Sequence, residues 1–254
     1  MEITNKNNHS WKYITQSMET IFDEPGTENT IKRIEKAFLR LSTDQRVLAP
    51  FPEIEKAADQ FIANSQISYN DDTEIAFLDL YCELHRAGSE YSSKERQTLD
   101  NKKGYFNHPG GISPLLKAEP YIKQYSIVAD LGAGNGLQGL LFQYLYPHHR
   151  TLQIELSAKM IQVGKLYQQI LEIPEDRVIW INDDIINTSL DEVDFLYLYR
   201  PSKPFGDGIK LYEILIQKLE SGSKSQVIFS IADCLKDFLD SSYKIFYDDG
   251  HLTC

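Results

Sequence analysis

Residues Val128-Ala129-Asp130-Leu131-Gly132-Ala133-Gly134-Asn135-Gly136 run from an apolar stretch through an acid into three alternating glycines. With Ile127 in front, the run Ile127 to Leu131 has the character of a strand buried on both faces of a parallel sheet. Beyond the glycines, Leu137-Gln138-Gly139-Leu140-Leu141-Phe142-Gln143-Tyr144-Leu145 spaces its apolar residues as a helix does. Strand, glycine turn and helix in that order predict an α/β fold with a small-molecule site at the turn. Glycines 132, 134 and 136 admit backbone angles closed to other residues and let a ligand approach the main chain without meeting a Cβ.

Two ligands compete for such a turn. Gly134-Asn135-Gly136-Leu137-Gln138-Gly139 matches G-x-G-x-x-G, the dinucleotide fingerprint. In a dinucleotide site, however, the turn and the helix N-terminus face a doubly negative pyrophosphate, and a carboxylate at Asp130 is electrostatically out of place there. A ligand carrying a positively charged amino group suits it.

Asp130-x-Gly132-x-Gly134-x-Gly136 at the end of a first strand resembles the cofactor motif of class I, Rossmann-like S-adenosylmethionine (AdoMet)-dependent methyltransferases. Thr151-Leu152-Gln153-Ile154-Glu155 reads as a second strand ending in an acid, where a ribose-binding carboxylate belongs. Arg177 to Asp184 resembles the third strand and its terminal acid. The resemblance implies AdoMet as cofactor, with Asp130 facing the methionine amino group and Gly132, Ala133, Gly134 and Gly136 forming the turn beside it. It implies Glu155 on the ribose hydroxyls, Leu156 and Ile185 against the adenine, and either Asp184 or Asp183 on the adenine amino group, since a one-residue slip at a strand end exchanges those two.

The family's fold is a Rossmann-like, seven-stranded, mostly parallel sheet with an antiparallel C-terminal hairpin. Val193 to Tyr199 and Gln226 to Ile231 are apolar, β-prone runs suited to the fourth and fifth strands. Tyr243 to Tyr247, an Asp-Gly turn at Asp249-Gly250, and His251 to Cys254 read as the hairpin. Little room is left for helices between Asp184 and Val193 or between Ala232 and Ser242. The methyltransferase domain is accordingly expected over 105–254, with a helical cap or substrate-recognition region over 1–104. In that region Glu28 to Leu41, Glu53 to Ala63 and Asp72 to Arg86 carry helical apolar stripes, and Ser92-Ser93-Lys94-Glu95 resembles a capping box.

The acceptor side departs from the amino-methylating members of the family. Where they carry Asn/Asp-Pro-Pro-aromatic after the fourth strand, this chain has Tyr199-Arg200-Pro201-Ser202, which argues against adenine, cytosine or glutamine nitrogen as acceptor. Tyr199 and Arg200 are the catalytic-site candidates there, Arg200 as a fork for a substrate carboxylate or phosphate, with His108 in the loop Tyr105 to Gly111 as a candidate base. The expected function is methyl transfer to a small-molecule or protein acceptor. The alternatives are a catalytically silent AdoMet-binding or interaction protein and an NAD(P)-dependent oxidoreductase.

Composition frames these readings. The net charge of −11 over 254 residues argues against a broad nucleic-acid surface. Lys32-Arg33 and Lys102-Lys103 read as solvated helix faces, and His148-His149 as a polar turn rather than a metal site. Cys82, Cys234 and Cys254 fit neither a zinc site nor a disulfide framework and are expected as free thiols. With no signal peptide and no apolar run of membrane-spanning length, a cytoplasmic protein without a membrane partner is expected. No sequence feature marks an oligomeric state.

Overall fold

The computed structural model describes residues 27–67, 70–106, 108–222, 224–232 and 235–254; Asn107 of the predicted loop and the thiol of Cys234 lie outside them. The chain opens with helices α1 (Thr27–Ser42), α2 (Gln45–Leu48), α3 (Pro52–Ile67), α4 (Asp71–Arg86) and α5 (Ser93–Asn101), followed by the short α6 (Ser113–Lys117). The alternating part comprises β1 (Ile127–Leu131), α7 (Leu137–Leu145), β2 (Arg150–Ile154), α8 (Ala158–Ile170), β3 (Val178–Ile181), β4 (Phe195–Tyr199), α9 (Ile209–Ser221), β5 (Val227–Ile231) and β6 (Leu252–Thr253). The sheet order is β3-β2-β1-β4-β5-β6, parallel except for the β5–β6 pair. This is the doubly wound, Rossmann-like order, in which the chain reverses direction across the sheet between β1 and β4 and opens a crevice at their carboxyl ends.

Local signals set the helix starts. Ser92 and Glu95 form the capping box at α5, Asn70 caps α4 by accepting from the Thr73 N–H at 3.2 Å, and Ser157 caps α8. Side chains alternate across the strands, so Phe195 and Tyr197 of β4 join one core while Leu196 and Leu198 join the other. The first core is shared with the N-terminal helices: Ile34, Phe38 and Leu41 of α1 and Phe77 and Tyr81 of α4 belong to the same cluster as Leu140 and Phe142 of α7. Phe38 and Phe77 stack at 5.2 Å, and Phe142 meets Phe195 edge-on at 5.5 Å. No helix among the described residues is long and apolar enough to cross a membrane.

Several expectations are corrected. The sheet has six strands among the described residues rather than seven. The hairpin turn at Asp248 to Gly250 is present, with Gly250 at φ +81° and Asp249 accepting from the His251 and Leu252 N–H groups. The arm before it pairs only through bonds such as Phe246 N–H to Cys254 O and Cys254 N–H to Tyr247 O, both 2.9 Å, because the two-residue β6 offers too short an edge for a full strand. His148 is a core residue, not a polar turn: its ring lies 2.6 Å from Tyr146 O and 2.7 Å from Thr151 Oγ1, and burial lowers its pKa to about 4. Arg33 is only partly exposed, and it donates to Tyr144 O at the end of α7. Cys82 and Cys254 are free and buried, and burial pushes both thiols up to about 12.

Besides the shared core, Asn135 ties the helical region to the alternating fold through a fully buried side chain. Its amide donates to Leu84 O, His85 O and Ala87 O at 2.8 to 3.1 Å, satisfying carbonyls at the end of α4, while its Oδ1 accepts from the Leu137 N–H that opens α7. Removing one partner of a buried hydrogen bond exposes the desolvation cost of the other. Asn135→Ala is expected to lower stability by about 2–4 kcal/mol, measured by denaturant unfolding, because more than one carbonyl loses its donor.

Candidate functional site

A cavity of about 600 Å³ lies at the carboxyl ends of β1, β2, β4 and β5, and it includes Asp130, Gly132, Ala133, Gly134, Glu155, Leu156, Asp183, Asp184, Ile185, Tyr199, Arg200 and His108 in its lining. All but one of the residues singled out from the sequence are thereby brought together. The exception is Gly136, at φ +71° where the chain enters α7; a Cβ there would collide with the Trp180 indole, so its place in the structure is one of packing.

The turn is held by the end of β2. Gly132 N–H and Ala133 N–H both donate to Ile154 O, at 3.0 and 2.9 Å, and Gly134 N–H donates to Glu155 Oε2 at 2.8 Å. The second oxygen of Glu155 accepts from Ser157 N–H at 2.8 Å. The turn therefore presents a carboxylate where a phosphate-binding turn presents open N–H donors.

Asp130 is buried beside Glu155 and accepts from Gly139 N–H at 3.1 Å. Burial pushes its carboxyl up to about 7, against the pull of that N–H and with the repulsion of Glu155 adding to the rise. Burial raises Glu155 as well, against the pull of the Ser157 and Gly134 N–H groups. Two crowded acids at a buried crevice favour a positively charged ligand.

Around the third strand, the two adjacent acids have different tasks. Asp184 caps the 3-10 turn Ile185–Asn187 by accepting from Ile186 N–H, and its other oxygen pairs with Lys102. Lys102 is thus not the free surface charge expected from the sequence. Asp183 is more open; its Oδ1 accepts from Asp184 N–H and Asn187, whose hydrogen bonds hold its carboxyl below the usual range.

Sequence reasoning missed the contribution of the N-terminal helices. His85, Tyr91 and Lys102 line the cavity, and burial lowers His85 to about 4, so it is neutral at physiological pH. It also missed Gln138, whose Oε1 accepts from Tyr81 while its enclosed Nε2 has no hydrogen-bond partner among the described residues. An unmet buried donor on a cavity wall is a place for a ligand oxygen. Gln138 is the second residue of α7, inside the stretch Gly134 to Gly139, and that position was the signal available for it.

No family model and no curated protein matches this chain. Among solved structures it is similar to a dimethyladenosine transferase from Plasmodium falciparum, at 21% identity and TM-score 0.39 over 53% of this chain. This chain spans 46% of the length of that one. It is similar to precorrin 8w decarboxylase from Methanobacterium thermoautotrophicum at 16% identity and TM-score 0.41, covering 52% of this chain and 73% of that one. A SAM-dependent methyltransferase from Thiobacillus denitrificans, in complex with S-adenosyl-L-homocysteine, matches at 18% identity and TM-score 0.36, over 57% and 50% of the two chains. At these TM-scores the chemistry of this chain has to be argued from its own sheet order and cavity.

The charge of Asp130 gives a pH prediction. A carboxyl held near 7 in the folded chain and near the ordinary value of about 4 when unfolded makes stability fall as pH rises through that window, then level off. Asp130→Asn removes that loss while its amide oxygen can still accept from Gly139 N–H. Its melting temperature is expected to exceed that of wild type at about pH 8, with the gap closing as pH falls toward about 4, in thermal scans across pH.

Proposed function

We propose that this chain is an AdoMet-dependent methyltransferase, a reading carried by one observation: the glycine turn's N–H groups are taken up by Ile154 O and Glu155, and two buried acids stand beside it. A pyrophosphate would meet the Glu155 carboxylate and find the Gly132, Ala133 and Gly134 N–H groups already engaged, which disfavours the dinucleotide alternative. AdoMet suits the same surroundings, with an ammonium and a sulfonium for the acids, ribose hydroxyls for an acceptor, and a purine for apolar walls.

In this reading Asp130 holds the methionine amino group, and the charge that it meets keeps its carboxyl ionised below its ligand-free value. Glu155, fixed by Gly134 and Ser157, still has lone pairs for the ribose hydroxyls. Leu156 and Ile185 flank the adenine. We assign the adenine amino group to Asp183 rather than Asp184, because the Asp184 oxygens are engaged by Ile186 and Lys102. Gln138 offers its amide N–H to a ligand oxygen, and α5 with the loop after it forms the rim as a cap.

Bound AdoMet supplies a methyl group already activated by the sulfonium, so the protein's tasks are to align an acceptor, exclude water and accept any proton the acceptor releases. Tyr199 walls the acceptor side, and His108, whose ring centroid is 6.5 Å from that of Tyr199, is the candidate proton acceptor. The acceptor is a small molecule or a protein side chain.

Glu155→Gln keeps an acceptor oxygen for one of the Gly134 and Ser157 N–H groups, turns an amide donor toward the other, and loses the charge. It is expected to weaken AdoMet and S-adenosylhomocysteine about ten- to a hundred-fold by calorimetry, the loss of a charge-assisted hydrogen-bond pair, with the fold retained by circular dichroism. Unchanged affinity removes Glu155 from the ribose site.

A further inference from the structure

Sheet order divides the cavity electrostatically. Asp130 lies near the end of β1, and Glu155, Asp183 and Asp184 follow β2 and β3, while Tyr199, Arg200, Ala232 and His251 sit over the β4 and β5 half. Lys102, the cation on the acidic side, is paired with Asp184. The second half is aromatic: ring centroids of Tyr199 and His251 lie 6.2 Å apart, those of Tyr199 and His108 6.5 Å, and those of Tyr105 and His108 6.4 Å. Its charge is Arg200, with the guanidinium 5.7 Å from the Tyr105 ring centre and an enclosed Nε that has no hydrogen-bond partner among the described residues.

The backbone supports the same location. Four non-glycine residues among those described have positive φ, and two of them, Arg200 at +36° and Ala232 at +64°, end β4 and β5 on the cavity wall. Such conformations cost free energy and persist where surrounding contacts impose them, commonly at ligand sites. Here the segment that follows Arg200 is held in place: Tyr105 N–H donates to Pro201 O at 3.2 Å, Lys203 N–H donates to Lys103 O at 2.9 Å, and Ser202 Oγ donates to Lys102 O at 3.0 Å. The rim segment 102–105 thus pins the strand end that presents the guanidinium.

We infer that this half of the cavity binds a small planar aromatic anion, its ring among Tyr105, His108, Tyr199 and His251 and its acid group on Arg200. The inference deepens the methyltransferase reading by naming its acceptor class, and it rests on that reading only for the transfer itself. A planar ring gains offset or edge contacts with the aromatic walls, and a carboxylate or similar group gains the forked, charge-assisted bonds that a guanidinium gives. The overall charge of −11 disfavours a long polyanion on the same surface.

The test is calorimetric and NMR titration of benzoate, benzyl alcohol, cyclohexanecarboxylate and a short RNA oligonucleotide, each with and without S-adenosylhomocysteine. Benzoate is expected to bind about tenfold or more tightly than the neutral aromatic or the aliphatic acid. Arg200→Met is expected to remove that advantage without changing S-adenosylhomocysteine affinity, and Arg200→Lys, which keeps the charge but loses the fork, to fall between. Absent benzoate binding, equal binding of benzyl alcohol, insensitivity to Arg200→Met, or preference for the RNA overturns the inference. Benzoate binding without any S-adenosylhomocysteine binding upholds this pocket while overturning the cofactor reading.

Discussion

The hydrogen bonds from the Gly132 to Gly134 turn to the end of β2 constrain everything else in this site. They fix the turn as it leaves β1, bring Glu155 against Asp130, and engage the Gly132, Ala133 and Gly134 N–H groups that would otherwise face an anionic ligand. The same turn continues into Asn135, which reaches into the carbonyl end of α4 and ties the helical region to the first helix of the alternating fold. One short segment therefore sets both the polarity of the ligand site and the seating of the helices over it.

From that constraint follows a cavity built at some cost to the folded state. Asp130 is buried near another acid, Gln138 and Arg200 carry enclosed donors without hydrogen-bond partners among the described residues, and Arg200 and Ala232 hold left-handed backbone angles. Each feature is unfavourable in isolation and each faces the same cavity. Concentration of such features in one place is the physical mark of a preorganised ligand site. The carboxylates on the β1–β3 side and the aromatic–guanidinium wall on the β4–β5 side give the two halves of the cavity opposite polarity, the basis of the two ligands proposed for it.

Much of this was legible in the sequence. The apolar run Ile127 to Leu131, the acid at Asp130 and the glycines lay contiguous, so local pattern alone placed β1, the turn and α7, and Glu155 followed at the end of the next β-prone run. Helical stripes such as Ile31, Ile34, Phe38 and Leu41 likewise declared their buried face. What stayed hidden depended on contacts between distant segments. Lys102 reaches Asp184, Arg33 reaches Tyr144 and Asn135 reaches Leu84, and no spacing rule connects those positions. His148 was misread because its partner Thr151 binds it only once the chain has turned into β2. Gly136 belonged to the motif by spacing, yet the neighbour that demands its missing Cβ is Trp180 on β3. The final hairpin fell one strand short because pairing length depends on the edge beside it, which a turn signal does not report.

The central claim is that a turn whose N–H groups are bonded to the protein, beside two buried acids, selects a cationic adenosyl ligand over a dinucleotide. Parallel calorimetric titration of the wild-type chain with AdoMet, S-adenosylhomocysteine and NADH tests it directly. The account predicts binding of the first two at micromolar level and none of NADH. Binding of NADH alone, or of none of the three, would contradict it.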